Sequence, residues 1–238
     1  MIRQSLFGLM LWIFATPVFA GIPVEREMTC PVGGEVFKVV ETLSCTSFGR
    51  TMSFRGVSSC EFVTRLPVCP GNGLPLYVDF SEDELEKLEV FMKTDAYQAI
   101  QAVPPWQRAY RVAAELDHTG SNRGFFLLLQ ALWYESDTFL KDAAGLDALE
   151  TEAEGEVARA GARQKAYAAA IVSYALFAAD RPEKAQVWFE RAVELVDALG
   201  EDHEADRTYL KAYLARVSTC RSDMSVESCR PNAGFEPE

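Results

Sequence analysis

The sequence predicts a mainly α fold: a short tetratricopeptide-like array of helical hairpins, preceded by a small, disulfide-linked, β-rich N-terminal module. Three observations carry this. Ala185, Phe189 and Ala192 stand at the spacing A-x3-F-x2-A, which puts all three on one helix face because three to four residues make a turn. Ser173 lies twelve residues before Ala185, where a helix-turn-helix repeat needs a small side chain for close approach. Together these residues form the second half of the tetratricopeptide pattern, within a hairpin spanning residues 163–199. The six cysteines are also unevenly placed: four fall in residues 30–69, two near the C-terminus and none between. A stapled head and tail around a helical body follow from that distribution.

Taken in order, residues 1–20 read as a secretory signal peptide. Arg3 supplies a positive start, residues 6–14 an apolar run too short to span a bilayer comfortably, and Val18-Phe19-Ala20 a small-residue cleavage box before Gly21. The competing reading is an uncleaved anchor. No cysteine follows the apolar run closely, which argues against a lipoprotein, and no later segment is apolar enough to cross a membrane. The expected mature chain, residues 21–238, is periplasmic or secreted. Its 218 residues suffice for one good core or two modest ones. With 22 basic and 35 acidic side chains, its net charge is about −13. That balance disfavours nucleic acid and anionic membrane surfaces. It reads as solvation first and as attraction to a cationic partner second.

Residues 21–80 form the β-rich module. Candidate strands are 35–43, 51–55 and 61–66, bounded by Gly and Ser clusters. Pro67, Pro70, Gly71, Asn72, Gly73 and Pro75 make a dense turn region. So small a piece buries too little to stand alone, so cross-links are expected.

The helical domain is assigned to residues 81–218. Ser81-x-x-Glu84 is a capping box, with Glu82, Asp83 and Glu84 in the first turn where they suit the helix dipole. Pro104-Pro105 ends that stretch, and Pro105 suits the first turn of the next helix, whose Trp106, Ala109, Tyr110 and Ala113 recur at helical spacing. After a turn at residues 119–122, the apolar run 125–134 reads as a buried helix. Gly124, Leu128 and Ala131 match A-x3-F-x2-A loosely, as a degenerate first repeat. Residues 141–165 read as a polar outer helix with breaks. Glu150, Glu152, Glu154 and Glu156 alternate as in a solvated linker. In the main hairpin, Asp180-Arg181-Pro182 is the turn, and Gly200 stops the second helix as a C-terminal glycine. Asp202 is expected to cap a last helix running to Val217. A solenoid end exposes its apolar face unless covered, and the tail, residues 219–238, is placed to cover it, with residues 231–238 disordered.

Two turns in the module resemble each other: Cys30-Pro31-Val32-Gly33-Gly34 and Cys69-Pro70-Gly71-Asn72-Gly73. Each is similar to a zinc knuckle, C-P-x-C-G, with the second cysteine replaced by Gly33 or Asn72. Together with Phe37, Pro67-Val68, the stretch 106–134 and the hairpin to Leu195, the order of parts resembles the bacterial domain-of-unknown-function family 2225. That family has a zinc-ribbon-like head followed by tetratricopeptide-like helices. The likeness covers most of the mature chain. This sequence departs from it in the two missing cysteines and the leader, so the resemblance implies an exported relative in which a disulfide replaced the metal. The knuckle likeness implies a Cys30–Cys69 bond, leaving Cys45–Cys60 and Cys220–Cys229 as the other pairs. Four N-terminal cysteines allow about three pairings. A zinc site of Cys30, Cys45, Cys60 and Cys69 is the alternative, disfavoured by spacings unlike the close C-x2-C pairs of structural zinc and by an oxidising compartment. The resemblance implies an architecture and no reaction.

No G-x-S-x-G, H-E-x-x-H, phosphate-binding glycine loop or C-x-x-C occurs. The two histidines, His118 and His203, read as surface polar residues. The sequence therefore reads as a non-enzymatic protein-interaction scaffold without cofactor or metal, binding a protein or peptide in the cell envelope. The alternatives are a self-assembling structural subunit and a hydrolase with an unrecognised site. Candidate groove residues are Tyr110, Arg163, Tyr167 and Tyr174, each tyrosine competing with a plain packing role.

Overall fold

The computed structural model describes residues 21–237; the expected signal peptide and Glu238 lie outside the described residues. The chain opens with a hairpin of β1 (Pro23–Thr29) and β2 (Val36–Thr42), paired antiparallel from Pro23↔Thr42 to Thr29↔Val36. Gly33 and Gly34, with φ of 97° and 72°, make the reversal that side chains resist. Here Cys30 N–H donates to the Glu35 carbonyl (2.8 Å) and Gly34 N–H to the Cys30 carbonyl (3.1 Å). The second turn repeats that pattern: Cys69 N–H donates to Leu74 (2.9 Å) and Gly73 N–H to Cys69 (2.8 Å). The two turns face each other. Asn72 donates to the Val32 carbonyl at 2.7 Å, Gly71 N–H to Glu35 at 2.6 Å, and Cys30 and Cys69 are disulfide-bonded. Cys45–Cys60 and Cys220–Cys229 are the other bonds, which leaves none of the six thiols free to bind zinc.

A second sheet has the order β4-β3-β5, from β3 (Ser47–Thr51), β4 (Gly56–Ser58) and β5 (Gly234–Phe235). Three expectations are corrected here. Residues 51–55 do not continue a strand. The chain turns after Thr51, and Phe54 adopts a φ of 66° that aims its ring into the helices. The described residues of the expected disordered end, 231–237, are not a free tail, because residues 234–235 pair with β3 and Phe235 is buried. Residues 61–66 also form turns rather than a strand, held beside the Cys45–Cys60 bond.

Nine α-helices follow among the described residues: α1 (Glu82–Phe91), α2 (Asp95–Ile100), α3 (Pro105–Glu115), α4 (Asn122–Tyr134), α5 (Ser136–Phe139), α6 (Ala143–Arg159), α7 (Ala162–Ala178), α8 (Pro182–Asp197) and α9 (Glu204–Cys220). The Ser81 capping box forms, with Ser81 N–H donating to Glu84 at 2.7 Å. Pro105 and Pro182 each open a helix. Apart from the short α5, α3 to α9 pack as a sequential array in which each helix rests on the next. The hairpins α3/α4 and α7/α8 share a device at the end of their first helix. Asp117 and Asp180 both take a left-handed φ of 57°. The next residue then donates back to the helix, His118 to Ala113 at 2.8 Å and Arg181 to Leu176 at 2.9 Å. This is a Schellman ending with aspartate in the usual glycine position. Gly200 does not play that part: α8 ends at Asp197, and Gly200 is extended with φ −69°. Asp202 lies in a 3-10 turn, and α9 starts at Glu204.

The stretch expected to be a broken, solvated linker is the continuous helix α6, packed against α4 and α7 with Leu146, Leu149, Ala153 and Val157 buried. Its alternating acids are two pairs four residues apart, and residues four apart share a helix face. Glu150 and Glu154 face α8, bonding Lys184 (2.5 Å) and Arg191 (2.7 Å). Glu152 and Glu156 point to the other side.

The main core runs through α3–α9 and takes in Met52 and Phe54 from the module and Phe235 from the tail. A smaller core joins Cys30, Cys69 and Leu74 to Leu88, Tyr97, Val112 and Leu116. The residues around Met52 are hydrogen-bonded on three sides. Tyr213 donates to the Met52 carbonyl (2.7 Å), Trp133 Nε1 to Ser53 (2.6 Å), and Met52 N–H to Ala233 (2.8 Å).

Candidate functional site

A trough runs between the N-terminal module and the helices. Its larger part is about 830 Å³ and its smaller part about 280 Å³; both are lined by Phe125, Leu129, Trp133 and Glu156, so they are continuous. Two helices build the floor with the same local pattern. α4 offers Phe125, Phe126, Leu129, Gln130 and Trp133; α7 offers Arg163, Gln164, Tyr167, Ala168 and Ile171. Each set follows i, i+1, i+4, i+5, i+8, one face of an α-helix. The module supplies the opposite wall through Arg50, Phe54, Arg65, Leu66, Leu76 and Tyr77.

The charge of this lining runs against that of the chain. Arg65 and Arg123 line the larger part, Arg50 and Arg163 the smaller, and Glu156 is the one acid lining either. Arg163 is paired to Asp206 at 2.8 Å, and Glu156 to Arg159 at 3.5 Å. Among the described residues no carboxylate lies within ion-pair distance of Arg50, Arg65 or Arg123. Arg50 and Arg65 instead donate to backbone carbonyls of Phe54 (3.3 Å) and Cys60 (3.0 Å), and the Arg65 guanidinium lies 5.9 Å from the Tyr134 ring centroid. Gln130 is 7% exposed, and its side chain makes no hydrogen bond among the described residues. Apolar contact surface is present as well: Phe126 is 50% exposed.

Of the sequence-predicted groove residues, Arg163 and Tyr167 line this trough. Tyr167 donates to Asp206 at 2.9 Å; burial and that carboxylate push its hydroxyl up to about 12. Burial acts to raise Asp206, but the hydrogen bonds and charge of Arg163 and Tyr167 outweigh it and hold the carboxyl below its ordinary value. Tyr110 lies elsewhere, in a small cleft of about 40 Å³ with Gln107 and Asp142. Its hydroxyl donates to Glu152 at 3.2 Å and is pushed up to about 12, by burial first and Glu152 second. Tyr174 is no groove residue: it is fully buried and donates to the Cys229 carbonyl at 2.7 Å, which ties α7 to the tail. The helix faces were legible in the sequence, but the covering module had no local signal, so Arg50 and Arg65 were missed, and without that wall nothing singled out Arg123 and Gln130 on α4.

His118 also differs from expectation. It lies between Tyr77 (Nδ1 to the hydroxyl, 3.0 Å) and Glu84 (Nε2 to Oε1, 2.5 Å), and its side chain is only 13% exposed. A hydroxyl, an imidazole and a carboxylate in a row have the order of an activated nucleophile. Burial, however, raises the Tyr77 hydroxyl well above its ordinary value, which opposes ionisation. The chain of contacts serves as a bolt joining the turn region, the start of α1 and the end of α3. His203 stays at the surface beside Asp206, at 3.7 Å. Among the described residues no group of three or more His, Cys, Asp or Glu is arranged to hold a metal, and no helix is long and apolar enough to cross a membrane. No protein-family model, curated protein or solved structure matches the chain.

Proposed function

We propose that the protein is an exported, non-enzymatic interaction scaffold that receives a segment of a partner protein in the trough between its module and its helices. The observation that carries this reading is the trough itself: two helix faces in the same register, roofed by a disulfide-locked module and carrying an exposed aromatic ring, the Gln130 amide and arginines without carboxylate partners among the described residues. Repeat helices present such faces to extended or helical segments. Three disulfides support an oxidising compartment. The matched, facing turns at Cys30 and Cys69 support kinship with domain-of-unknown-function family 2225, the metal of the head exchanged for a disulfide.

The test is capture from envelope extract by a photo-crosslinking residue in place of Phe126. A discrete crosslinked protein, lost when Trp133→Ala is added, is the expected result. Crosslinks only between copies of the chain, together with a closed assembly by light scattering, would instead make it a structural subunit.

A further inference from the structure

Resting on that reading, we infer that the occupant of the trough is an acidic, extended peptide segment with apolar side chains between its carboxylates. Charge complementarity carries the argument. The chain as a whole has a net charge of −12, which by itself would repel such a segment. Yet four arginines line one trough against a single lining acid, and three of the four have no carboxylate partner among the described residues. A guanidinium left beside a partly desolvated wall gains most from a carboxylate, which its planar fork meets with two hydrogen bonds. The arginines are divided between the two ends, Arg65 and Arg123 in the larger part and Arg50 and Arg163 in the smaller. The shared stretch between them is floored by Phe125, Leu129 and Trp133. A ligand satisfying both ends needs negative charges separated by apolar groups.

The amide of Gln130 narrows the class further. It lines the larger part, is 7% exposed as a residue, and its side chain makes no hydrogen bond among the described residues. Its amide lines the trough wall and offers N–H donors and a carbonyl acceptor side by side. A peptide unit offers the complementary acceptor and donor. A polyanionic glycan or nucleic acid would gain less here, because its charges repeat closely and it would meet the apolar floor with polar groups.

The experiment measures anisotropy of fluorescein-labelled peptides of about ten residues, alternating leucine with glutamate, glutamine or lysine, against the full mature chain. The glutamate peptide is expected to bind at least about tenfold more tightly than the glutamine peptide, weakening several-fold from about 0.05 to 0.5 M salt. The double variant R65E/R123E should weaken the glutamate peptide about tenfold or more while improving the lysine peptide. The exposed K87E on α1 should change neither. Gln130→Leu should weaken glutamate and glutamine peptides alike. Equal binding of all three peptides, unaffected by R65E/R123E, overturns the acidic occupant and leaves the scaffold reading standing. Binding of none overturns both. Tighter binding of heparin than of any peptide, lost in R65E/R123E, replaces the peptide by a polyanion.

Discussion

Phe54→Ala removes the ring by which the N-terminal module enters the helical core. Phe54 is 1% exposed and packs against Tyr213, Tyr167 and Tyr209, at centroid distances of 4.2, 5.5 and 6.0 Å. Truncation to Cβ returns about 150 Å² of apolar surface to account for, roughly 4 kcal/mol at 25 cal/mol/Å². That falls inside the range of about 3–5 kcal/mol usual for such a change. For a chain of this size each kcal/mol moves the melting temperature by about 2–4 °C, so a drop of about 8–16 °C is expected. Far-ultraviolet dichroism and tryptophan fluorescence should still melt together, since Trp133 bonds the module directly. At a φ of 66° alanine suffers a left-handed penalty of about 1 kcal/mol that glycine escapes. Phe54→Gly should therefore be at least as stable as Phe54→Ala. A loss below about 1 kcal/mol, or two separate transitions, would show that the module and the helices do not share one core.

Gly124→Ala, a change that ordinarily helps a helix by about 1 kcal/mol, should instead destabilise by about 1–3 kcal/mol. A Cβ there would lie 2.5 Å from the Glu152 carboxyl carbon, which is buried and cannot swing away without giving up its bonds from Gly120 N–H and the Tyr110 hydroxyl; urea titration reads the sign. The Glu84 carboxyl is held below its ordinary 4.5 by the Ser81 backbone N–H, against burial and with help from His118. Its folded value is depressed, so its contribution is fully present above the ordinary 4.5 and is lost as pH falls below that through the lower folded value; Glu84→Gln should flatten the melting-temperature profile on the acid side, which a pH series of thermal scans checks. Replacing Cys220 and Cys229 by serine opens a short loop worth about 2.5 kcal/mol. The double variant should also speed amide exchange at residues 231–235, which lean on this closure through Met52 and β3.

The elements that could be read along the chain are those whose cause is local. The capping box at Ser81, the prolines opening α3 and α8, and the small-large-small face at Ala185, Phe189 and Ala192 each depend on residues within a turn or two. The likeness of the turns at Cys30 and Cys69 was also visible, because left-handed glycines, Gly33 and Gly34 in one and Gly73 in the other, leave a compositional mark. Elements whose cause lies far away were misread. The glutamates of α6 looked like linker charge because their partners, Lys184 and Arg191 on one side and Gly120 and Tyr110 on the other, come from distant segments. His118 looked exposed because Tyr77 and Glu84 reach it across 41 and 34 residues.

By itself the amino-acid order determined where helices begin, which of their faces are apolar, and which segments need sulfur to hold together, since all of these follow from periodicity, capping chemistry and cysteine content. Tertiary packing alone decided that Phe54 and the last residues close the core, that Tyr174 is buried rather than offered to a ligand, and that a strongly acidic chain gathers Arg50, Arg65, Arg123 and Arg163 around one trough. The physical reason is that burial and electrostatic environment are sums over neighbours in space, and those neighbours are supplied by strands and loops tens of residues away.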